Sequence, residues 1–579
     1  MKILRAYIKE NIGVLSLGAI FLTLNTFATL AIPFQISNII NLGIMKKDIN
    51  MVYSTSIKMV VILIIGTATG IIANHFVALF ATNFTKKNRK LLVRNLESLT
   101  IDQVNDFGVA SLVTRMGNDN NNAQRLIVAF FQMILPSPIM AIISIFMTVK
   151  LSPTLALIPL FTILIFALAI VLTLFKSLPY ILKIQKKLDR MTLVLRERFI
   201  GAKIIRAFDN SKKERDKFND IAQEYTDNYI IINKKFALLS PMAFALMSVV
   251  ITLIIFFGAM KVLNNTLEIG SITAIVEYSL TTIAALIMSS MVLVQMPKAV
   301  VSIERIEEIL NVTSEIKDKE ELKDNSYYED ILKQNPISLT FDNVSFRYKG
   351  AEKQILKNIS FSIKAGERFA IVGATGSGKS TIAKVLLRLN DIECGKILIN
   401  GVNTLDLPLN CLRNQISYTP QKAYLFSGKI KDNFRFTNKD MTDEEMIKVA
   451  KVAQSYDFID SLPDKFDSFV AQGGTNFSGG QKQRLSIARA LSKEANIYLF
   501  DDSFSALDYA TDAKLRKELK TFLKDKITII IAQRLNTIAD ADKIIVLKDS
   551  EITGMGTHKE LLESNQEYIE LAKSQGILE

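Results

Sequence analysis

A glycine-rich segment in the second half of the chain has the residue types that bind phosphate groups. The strand-like sequence RFAIVG leads into GATGSGKST, and the helical sequence IAKVLLRL follows. Glycines at this spacing let backbone amides approach phosphate oxygens closely, and the start of the helix adds further amides. Lys379 would carry a positive charge to the β- and γ-phosphates, and the Ser380 hydroxyl would bind Mg²⁺. The residues predicted to hold the phosphates are Gly373, Thr375, Gly376, Ser377, Gly378, Lys379, Ser380 and Thr381.

The N-terminus of a second predicted helix also has residue types that could bind phosphate. The segment NFSGGQKQR opens the predicted helix QRLSIARAL. Ser478, Gly479, Gly480 and Gln481 would leave the first amides of that helix unobstructed at the positive end of the helix dipole. The glycine-rich loop already fills this role within the chain, so the second helix start is useful only if it faces another nucleotide. The pattern therefore predicts two such domains in a head-to-tail pair, each completing the other's site.

The elements around these segments predict an α/β nucleotide-binding domain. From Ile337 the sequence alternates in the β-rich run ISLTFDNVSFRY, and short apolar strands separated by helices follow. The preceding stretch mixes Lys, Asp and Glu without apolar periodicity. We predict a linker at 312–336 and a nucleotide-binding domain at 337–579.

Six uncharged stretches in the first half are long enough to cross a bilayer. Each contains about the 20 residues that a transmembrane helix needs. The tight connection Lys150-Leu151-Ser152-Pro153 separates two of them. We predict an all-α membrane domain at 1–311, with helices that continue into the cytoplasm. The stretches are 11–45, 59–85, 126–149, 151–175, 236–260 and 278–297.

The distribution of charge orients the chain and excludes nucleic acid as a partner. Of the 579 residues, the first 300 contain 31 Lys and Arg against 16 Asp and Glu, and the remainder contains 39 against 41. The basic excess therefore belongs to the membrane half, whereas a nucleic-acid binder needs it on a soluble face. Loops 86–125 and 176–235 carry seven and fifteen basic residues. The positive-inside rule places these loops, both termini and the α/β domain in the cytoplasm.

The combination of motifs resembles a known family. The glycine-rich loop, the SGGQ helix start and Asp501 at the end of NIYLFDD resemble the ATP-binding cassette (ABC) family. With six spans before them, the chain resembles an ABC exporter half-transporter over almost its whole length. The resemblance implies a six-helix transmembrane domain followed by an α/β P-loop cassette that uses ATP and Mg²⁺. It also implies a multi-pass protein of the bacterial plasma membrane, embedded in the lipid bilayer.

The resemblance assigns roles to further residues. It implies that Tyr348 stacks on adenine, that Asp501 and Ser380 bind Mg²⁺, and that Gln421 contacts Mg²⁺ and faces the membrane domain. Residues 505–508 resemble the loop that crosses to the partner cassette. Two further segments, RMGND (115–119) and GAKIIRAFDN (201–210), resemble the intracellular loops whose tips dock onto the cassettes.

The chain departs from the family pattern at two catalytic positions. Asp502 stands where the family has the Glu that acts as general base, and Gln533 stands where it has the switch His. The chain contains only His75 and His558, so no other histidine fills that role. Asp is shorter by one methylene, roughly 1.5 Å, and a misplacement of about 1 Å can cost on the order of 100-fold in rate. Gln533 cannot carry a proton near neutral pH.

These departures favour a subunit whose own site binds ATP but hydrolyses it slowly. The partner would be a second half-transporter that has the Glu and the His, with this chain's SGGQ completing the partner's faster site. A homodimeric slow exporter and a nucleotide-sensing regulatory membrane protein remain alternatives. We expect an amphipathic or drug-like substrate exported from the cytoplasm or inner leaflet, with lipid or peptide as alternatives. Glu277, placed near the outer end of the sixth span, and His75 are candidate substrate contacts.

Overall fold

Helices account for the whole membrane half of the chain. The computed structural model describes residues 1–319, 325–332 and 337–578. Wider helical turns at Ile39–Ile44, Arg115–Asp119 and Phe130–Ile134 continue the helices beside them. The helices up to Asn311 are α1 (Lys2–Glu10), α2 (Ile12–Asn38), α3 (Ile49–Ser98), α4 (Ile101–Phe107), α5 (Val109–Thr114), α6 (Asn120–Ala129), α7 (Pro136–Leu151), α8 (Pro153–Ile200), α9 (Ala202–Ala207), α10 (Ser211–Ala237), α11 (Leu239–Leu263) and α12 (Ile269–Asn311).

The six predicted spans are confirmed. Among the described residues, six helical stretches are long and apolar enough to cross a membrane. Ser152 has an extended backbone between α7 and α8, as the predicted tight connection requires. The predicted extensions of the spans are also helical, since α3 and α8 run for 50 and 48 residues. The stretches are Ile12–Ile44, Ile49–Ser98, Val109–Leu151, Pro153–Tyr180, Ser211–Leu263 and Ile269–Leu293.

The start of the sixth span differs from the prediction. The apolar helix begins at Ile269 and not at 278, because a single carboxylate does not interrupt an otherwise apolar sequence. Glu277 therefore lies inside the span, where its side chain is exposed on the surface of the chain. His75 is likewise exposed, on α3.

The prediction that residues 115–119 form a loop tip is wrong. These residues are helical, and Arg115 and Asp119 are only 8% and 4% exposed. Arg115 Nη1 pairs with Glu308 Oε2 at 2.7 Å, and Arg305 Nε lies 3.6 Å from Asp119 Oδ2. These partners on α12 stabilise a helix in a sequence whose Gly and Asn residues are typical of turns. The predicted second tip does form a short helix, α9, between α8 and α10.

The chain divides into two units that do not follow a single cut in the sequence. One comprises Met1–Ser98 and Val104–Thr313, and the other comprises Leu99–Gln103 and Ser314–Glu579. The short segment Leu99–Gln103 thus belongs with the cassette, where Asn390 Nδ2 donates to Asp102 Oδ2 at 2.8 Å.

The predicted linker contains a helix. Positions 320–324 and 333–336 of the linker lie outside the described residues, and α13 (Asn325–Leu332) lies between them. Tyr328 and Leu332 of α13 are buried in an apolar cluster with the strands of the cassette. This helix was missed because its apolar face spans only two turns.

Strands organise the cassette around the functional segments. They pair into sheets of order β2-β1-β4-β5, β12-β11-β3-β10-β9-β6 and β7-β8. The strands are β1 (Ser338–Phe346), β2 (Leu356–Lys364), β3 (Arg368–Gly373), β4 (Cys394–Ile399), β5 (Val402–Asn403), β6 (Ile416–Thr419), β7 (Gly428–Lys429), β8 (Phe469–Val470), β9 (Ile497–Asp501), β10 (Ile527–Ile531), β11 (Lys543–Lys548) and β12 (Glu551–Gly556). The remaining helices are α14 (Lys379–Leu386), α15 (Leu409–Asn414), α16 (Ile430–Arg435), α17 (Asp443–Val452), α18 (Tyr456–Asp460), α19 (Gly479–Leu491), α20 (Tyr509–Phe522), α21 (Leu535–Ile538), α22 (His558–Ser564) and α23 (Gln566–Ser574).

The six-stranded sheet is buried on both faces. Ala370 and Val372 of β3 join one apolar cluster, while Phe369 and Ile371 join the other. Strands β6, β9, β10, β3 and β11 are parallel, so their carboxyl ends meet at one edge. That edge receives the chain segments that carry the predicted site.

Candidate functional site

The loop after β3 packs so tightly against neighbouring backbone that two of its glycines have no room for a side chain. A Cβ on Gly373 would lie 2.2 Å from the carbonyl oxygen of Leu547, and one on Gly378 would lie 2.5 Å from that of Ile355. Gly378 also has a φ of +98°, which glycine adopts readily. Beside them, the hydroxyl of Ser377 is buried without a hydrogen-bond partner among the described residues. The loop is therefore a tight cradle of polar groups, which fits a nucleotide's phosphates.

Lys379 is held inside this cradle. Its Nζ donates to the carbonyl oxygens of Gly373 and Ala374 at 2.8 and 2.7 Å. Burial lowers the pKa of Lys379, while the nearby carboxylates of Asp502 and Asp501 oppose that shift. The ammonium group is thus positioned beside the loop, as the motif predicts.

The predicted adenine-stacking residue lies next to the phosphate loop. Tyr348 follows β1, and its hydroxyl lies 3.3 Å from Thr381 Oγ1 and accepts a hydrogen bond from Lys384 Nζ at 3.1 Å. Its ring meets Phe346 edge to face, with 4.9 Å between centroids. The half-buried ring therefore sits within reach of both the loop and α14.

The oxygens predicted to bind Mg²⁺ lie together. Ser380 Oγ donates to Asp501 Oδ1 at 2.9 Å, and the hydroxyl of Tyr418 donates to Asp501 Oδ2 at 3.3 Å. Burial raises the pKa of Asp501, and the hydrogen bonds from Ser380 and Tyr418 oppose this. Within the described ranges no three His, Cys, Asp or Glu residues form a cluster. A hydroxyl and one carboxylate suit Mg²⁺, which usually takes its other ligands from water and phosphate.

The three residues predicted at the catalytic centre converge on one carboxylate oxygen. Asp502 Oδ2 accepts a hydrogen bond from Gln421 Nε2 at 3.1 Å and another from Gln533 Nε2 at 3.2 Å. Burial raises the pKa of Asp502, while the Gln421 hydrogen bond and the charges of Lys379 and Arg534 oppose the shift. The two amides hold the carboxylate between them, so rotation of Asp502 away from them costs both bonds.

The SGGQ segment is organised as a helix cap. Ser478 Oγ accepts from the Gln481 amide at 3.3 Å, and Gln481 Oε1 accepts from the Ser478 amide at 2.9 Å. A Cβ on Gly479 would meet no atom within 4 Å. Ser478 and Gly479 are exposed, so the start of α19 is open at the cassette surface. Asp508, at the end of the predicted crossing loop, caps α20 through Thr511.

Two residues of this region were missed by the sequence reasoning. Tyr418 precedes the Gln421 segment on β6, a strand whose carboxyl end points to the site, and that position was its only signal. Gln575 follows α23 and forms hydrogen bonds with the backbone of the switch segment. Its Oε1 accepts from the Leu535 amide at 2.9 Å, and its Nε2 donates to the Gln533 carbonyl at 2.8 Å. Nothing in the sequence around Gln575 indicates this role.

Comparison with protein families identifies both halves of the chain. The family described as ABC transporter matches residues 356–505. The family described as ABC transporter transmembrane region matches residues 15–286. The predicted sequence of a six-helix membrane domain and an α/β cassette is thereby confirmed.

Similar proteins match along nearly the whole chain. The uncharacterized ABC transporter ATP-binding protein YfiB of Bacillus subtilis is 32% identical, over 94% of this chain and 93% of that protein. The ATP-dependent lipid A-core flippase of Mannheimia succiniciproducens is 26% identical, over 98% and 95% of the two chains. The structure of a bacterial Atm1-family ABC exporter with ATP bound has the same fold, with a TM-score of 0.80, 24% identity and coverage of 99% and 98%. The chain therefore belongs to the ABC transporter family, as a half-transporter of the exporter type.

Proposed function

We propose that this chain is the slowly hydrolysing subunit of a heterodimeric ABC exporter. Family membership implies an ATPase coupled to transport. In the proposed complex, the P-loop of this chain retains ATP while SGGQ completes the faster site of a partner that has a Glu and a switch His. Most hydrolysis then occurs at the partner's site.

The observation that carries the proposal is the environment of Asp502. Its Oδ2 receives two amide hydrogen bonds, from Gln421 and Gln533, and neither donor can accept a proton near neutral pH. His558 is engaged elsewhere, with its Nδ1 at 2.6 Å from the Tyr568 hydroxyl. A base that is shortened and held by amides is poorly suited to activate water, whereas the phosphate cradle beside it favours binding.

The roles of the site residues follow from this proposal. Tyr348 stacks on adenine, the loop from Gly373 to Thr381 holds the phosphates, and Ser380, Asp501 and Gln421 hold Mg²⁺. The magnesium ion, when bound, neutralises phosphate charge. Residues 1–311 form the membrane domain, 312–336 the linker and 337–579 the cassette, with the cassette and both termini in the cytoplasm of a bacterial cell.

The proposed substrate is an amphipathic or drug-like molecule taken from the cytoplasm or the inner leaflet. The relatives from Mannheimia succiniciproducens and Haemophilus influenzae are both named lipid A-core flippases, the second at 33% identity over 70% of this chain. Their names favour a lipid-like molecule over a peptide for this chain.

The test uses the complex that co-purifies with the full-length chain. After several catalytic cycles with labelled ATP, we expect one nucleotide per complex to remain bound while the other site turns over. Lys379→Ala should remove the retained nucleotide because its ammonium group lies in the phosphate cradle. Lys364→Ala, at an exposed position of the same cassette, serves as the matched control and should retain it.

Three results would contradict the proposal. Equal turnover at both sites would mean that the site is not slow. Full transport by the chain without a second protein would favour a homodimeric exporter. Nucleotide binding without transport, with or without a partner, would favour a regulatory protein.

A further inference from the structure

Two adjoining chambers lie between helices of the membrane unit, on its cytoplasmic side. The larger has a volume of about 520 Å³ and is lined by α5, the helical turn Arg115–Asp119, α6, α8 and α12. The smaller, of about 250 Å³, is lined by α6, α12 and the helical turn after α6. Both chambers are lined by Asn122, Arg125 and Lys298. These three side chains therefore mark the junction of a single two-part space.

The acidic groups at this space are already paired. Asp119 Oδ1 accepts from Ser302 Oγ at 2.9 Å, and its Oδ2 lies 3.6 Å from Arg305 Nε. Ser302 Oγ in turn accepts from Asn122 Nδ2 at 3.1 Å. Among the side chains that the structure describes, Asp119 is the one carboxylate that lines the chambers, and it is matched to one of three cations.

Arg125 and Lys298 remain without an anionic partner. Neither forms an ion pair with any residue in the described part of the chain, and both are exposed. Two unpaired cations at one junction form a local excess of positive charge. An anion bound there would gain charge-assisted hydrogen bonds without displacing an existing pair.

The two chambers differ in the side chains that each adds to the three shared ones. The larger adds polar and apolar side chains, among them Thr114, Asn118, Asn121, Leu188 and Val301. The smaller is lined by Leu126, Ala129, Met133, Val292 and Ala299. A molecule that fills both chambers therefore meets only apolar side chains beyond the junction at one end, and a partly polar surface at the other.

The position along the chain places the junction at the membrane surface. Arg125 directly precedes the uncharged stretch 126–149, and Lys298 directly follows the uncharged stretch 278–297. Cations at the cytoplasmic ends of spans lie at the depth of lipid headgroups, where they attract anionic lipids. The apolar chamber then lies on the side of the acyl chains.

We propose that the chambers bind a phosphate-bearing amphiphile from the inner leaflet, with its headgroup at Arg125 and Lys298 and its apolar part beside Met133 and Val292. This inference rests on the proposed export function and specifies the chemical class of its substrate. The proposed site would bind anionic amphiphiles in preference to cationic ones. The carboxylate of Glu277, considered alone, would favour cationic amphiphiles instead.

The test compares two lipids that differ only in headgroup. The complex is placed in nanodiscs of phosphatidylcholine, and binding is measured for fluorescent phosphatidic acid and for phosphatidylcholine with the same acyl chains. We expect preferential binding of phosphatidic acid. Arg125→Gln with Lys298→Gln should weaken that binding by about tenfold or more, because charge-assisted hydrogen bonds are lost. Binding of phosphatidylcholine should not change.

Matched variants separate a site from general surface charge. Lys86→Gln with Lys90→Gln removes two exposed cations of α3, at the cytoplasmic end of another span. This pair should leave phosphatidic acid binding intact, and equal weakening by both pairs would overturn the proposal. Arg125→Lys with Lys298→Arg keeps both charges and should retain binding, so its failure to do so would also count against an anion site.

Competition identifies the source of the phosphate. Inorganic phosphate should not displace phosphatidic acid at comparable concentration, because it has no apolar part. Equal competition by inorganic phosphate, or preferential binding of a cationic amphiphile, would overturn the inference. Loss of headgroup selection with ATP-driven transport intact would reject this site alone. Selective lipid binding in a complex that never transports would reject the exporter instead.

Discussion

The carboxylate of Asp502 is restricted by its backbone as well as by its side-chain partners. Its φ is +46°, in the left-handed region that Asp and Asn enter more readily than most residues with a Cβ. It is buried to 9% exposure, and two amides hold Oδ2. A Glu at this position would extend farther toward the phosphates but would fit the backbone less well. In the proposed complex, the geometry at this single residue would account for slow hydrolysis.

Restoring the family's residue types should partly restore hydrolysis. In a complex whose partner has its catalytic Glu replaced by Gln, Asp502→Glu with Gln533→His should raise ATP hydrolysis at this chain's site by on the order of tenfold. Each single change should do less, since water and γ-phosphate must be positioned together. The measurement is single-turnover hydrolysis of bound ATP. The absence of any gain would locate the defect in the partner's signature segment and contradict our assignment.

At the scale of elements, the switch segment depends on the end of α23. Both hydrogen bonds of the Gln575 amide go to the backbone on either side of Arg534. This backbone leads from β10 to α21, so Gln575 fixes the direction in which Gln533 leaves the sheet. Gln575 is a positioning residue, because its contacts reach the site only through Gln533.

Removing this support should shorten the lifetime of the retained nucleotide. We expect Gln575→Ala to speed its dissociation by about two- to tenfold, the range that corresponds to the net loss of one hydrogen bond. The melting temperature of the cassette should change little. The control is Gln566→Ala at the start of α23, since the side chain of that exposed glutamine donates to Glu570 Oε1. An unchanged lifetime in Gln575→Ala would show that Gln533 does not need this support.

An element could be predicted where its structure depends on its own sequence, and could not be predicted where it depends on contacts with residues far along the chain. The runs RFAIVG and NIYLF are short and apolar, so the strands of an α/β domain could be predicted from them, and the family resemblance assigned Asp501. The helical form of residues 115–119 could not, because Arg115 contacts the carbonyl of Arg305, 190 residues away. The start of the sixth span was misjudged for a related reason, since helical neighbours outweigh the one charge of Glu277. Gln575 gave no signal because its partners are backbone atoms.

At the scale of the whole molecule, the open start of α19 is the surface through which this chain would serve a partner. Ser478→Arg places a long cation where the γ-phosphate must approach. We expect it to abolish most ATPase activity of the complex, whereas Asp502→Ala should have a smaller effect because that carboxylate serves the slow site. Steady-state hydrolysis by the purified complex measures both.

The same cassette contains a suitable control for this variant. Thr442 caps α17 through Glu445 with the same 3.3 Å contact from the backbone amide that Ser478 receives at α19. Thr442→Arg therefore removes an equivalent cap, which costs about 1 kcal/mol of stability, without blocking a phosphate. It should leave the complex active. Equal losses from Ser478→Arg and Thr442→Arg would attribute the effect to stability and would reject the division of labour between the sites.

The segment Leu99–Gln103 also sets an order of events during synthesis. Asp102 leaves the ribosome 288 residues before its partner Asn390. At 5–20 residues per second, this interval is about 15 to 60 seconds. The segment Leu99–Gln103 is therefore synthesised before the rest of the cassette. The cassette can pack against this segment only after its own residues have been synthesised. A cassette translated as a separate open reading frame would lack this piece of its own unit from the beginning.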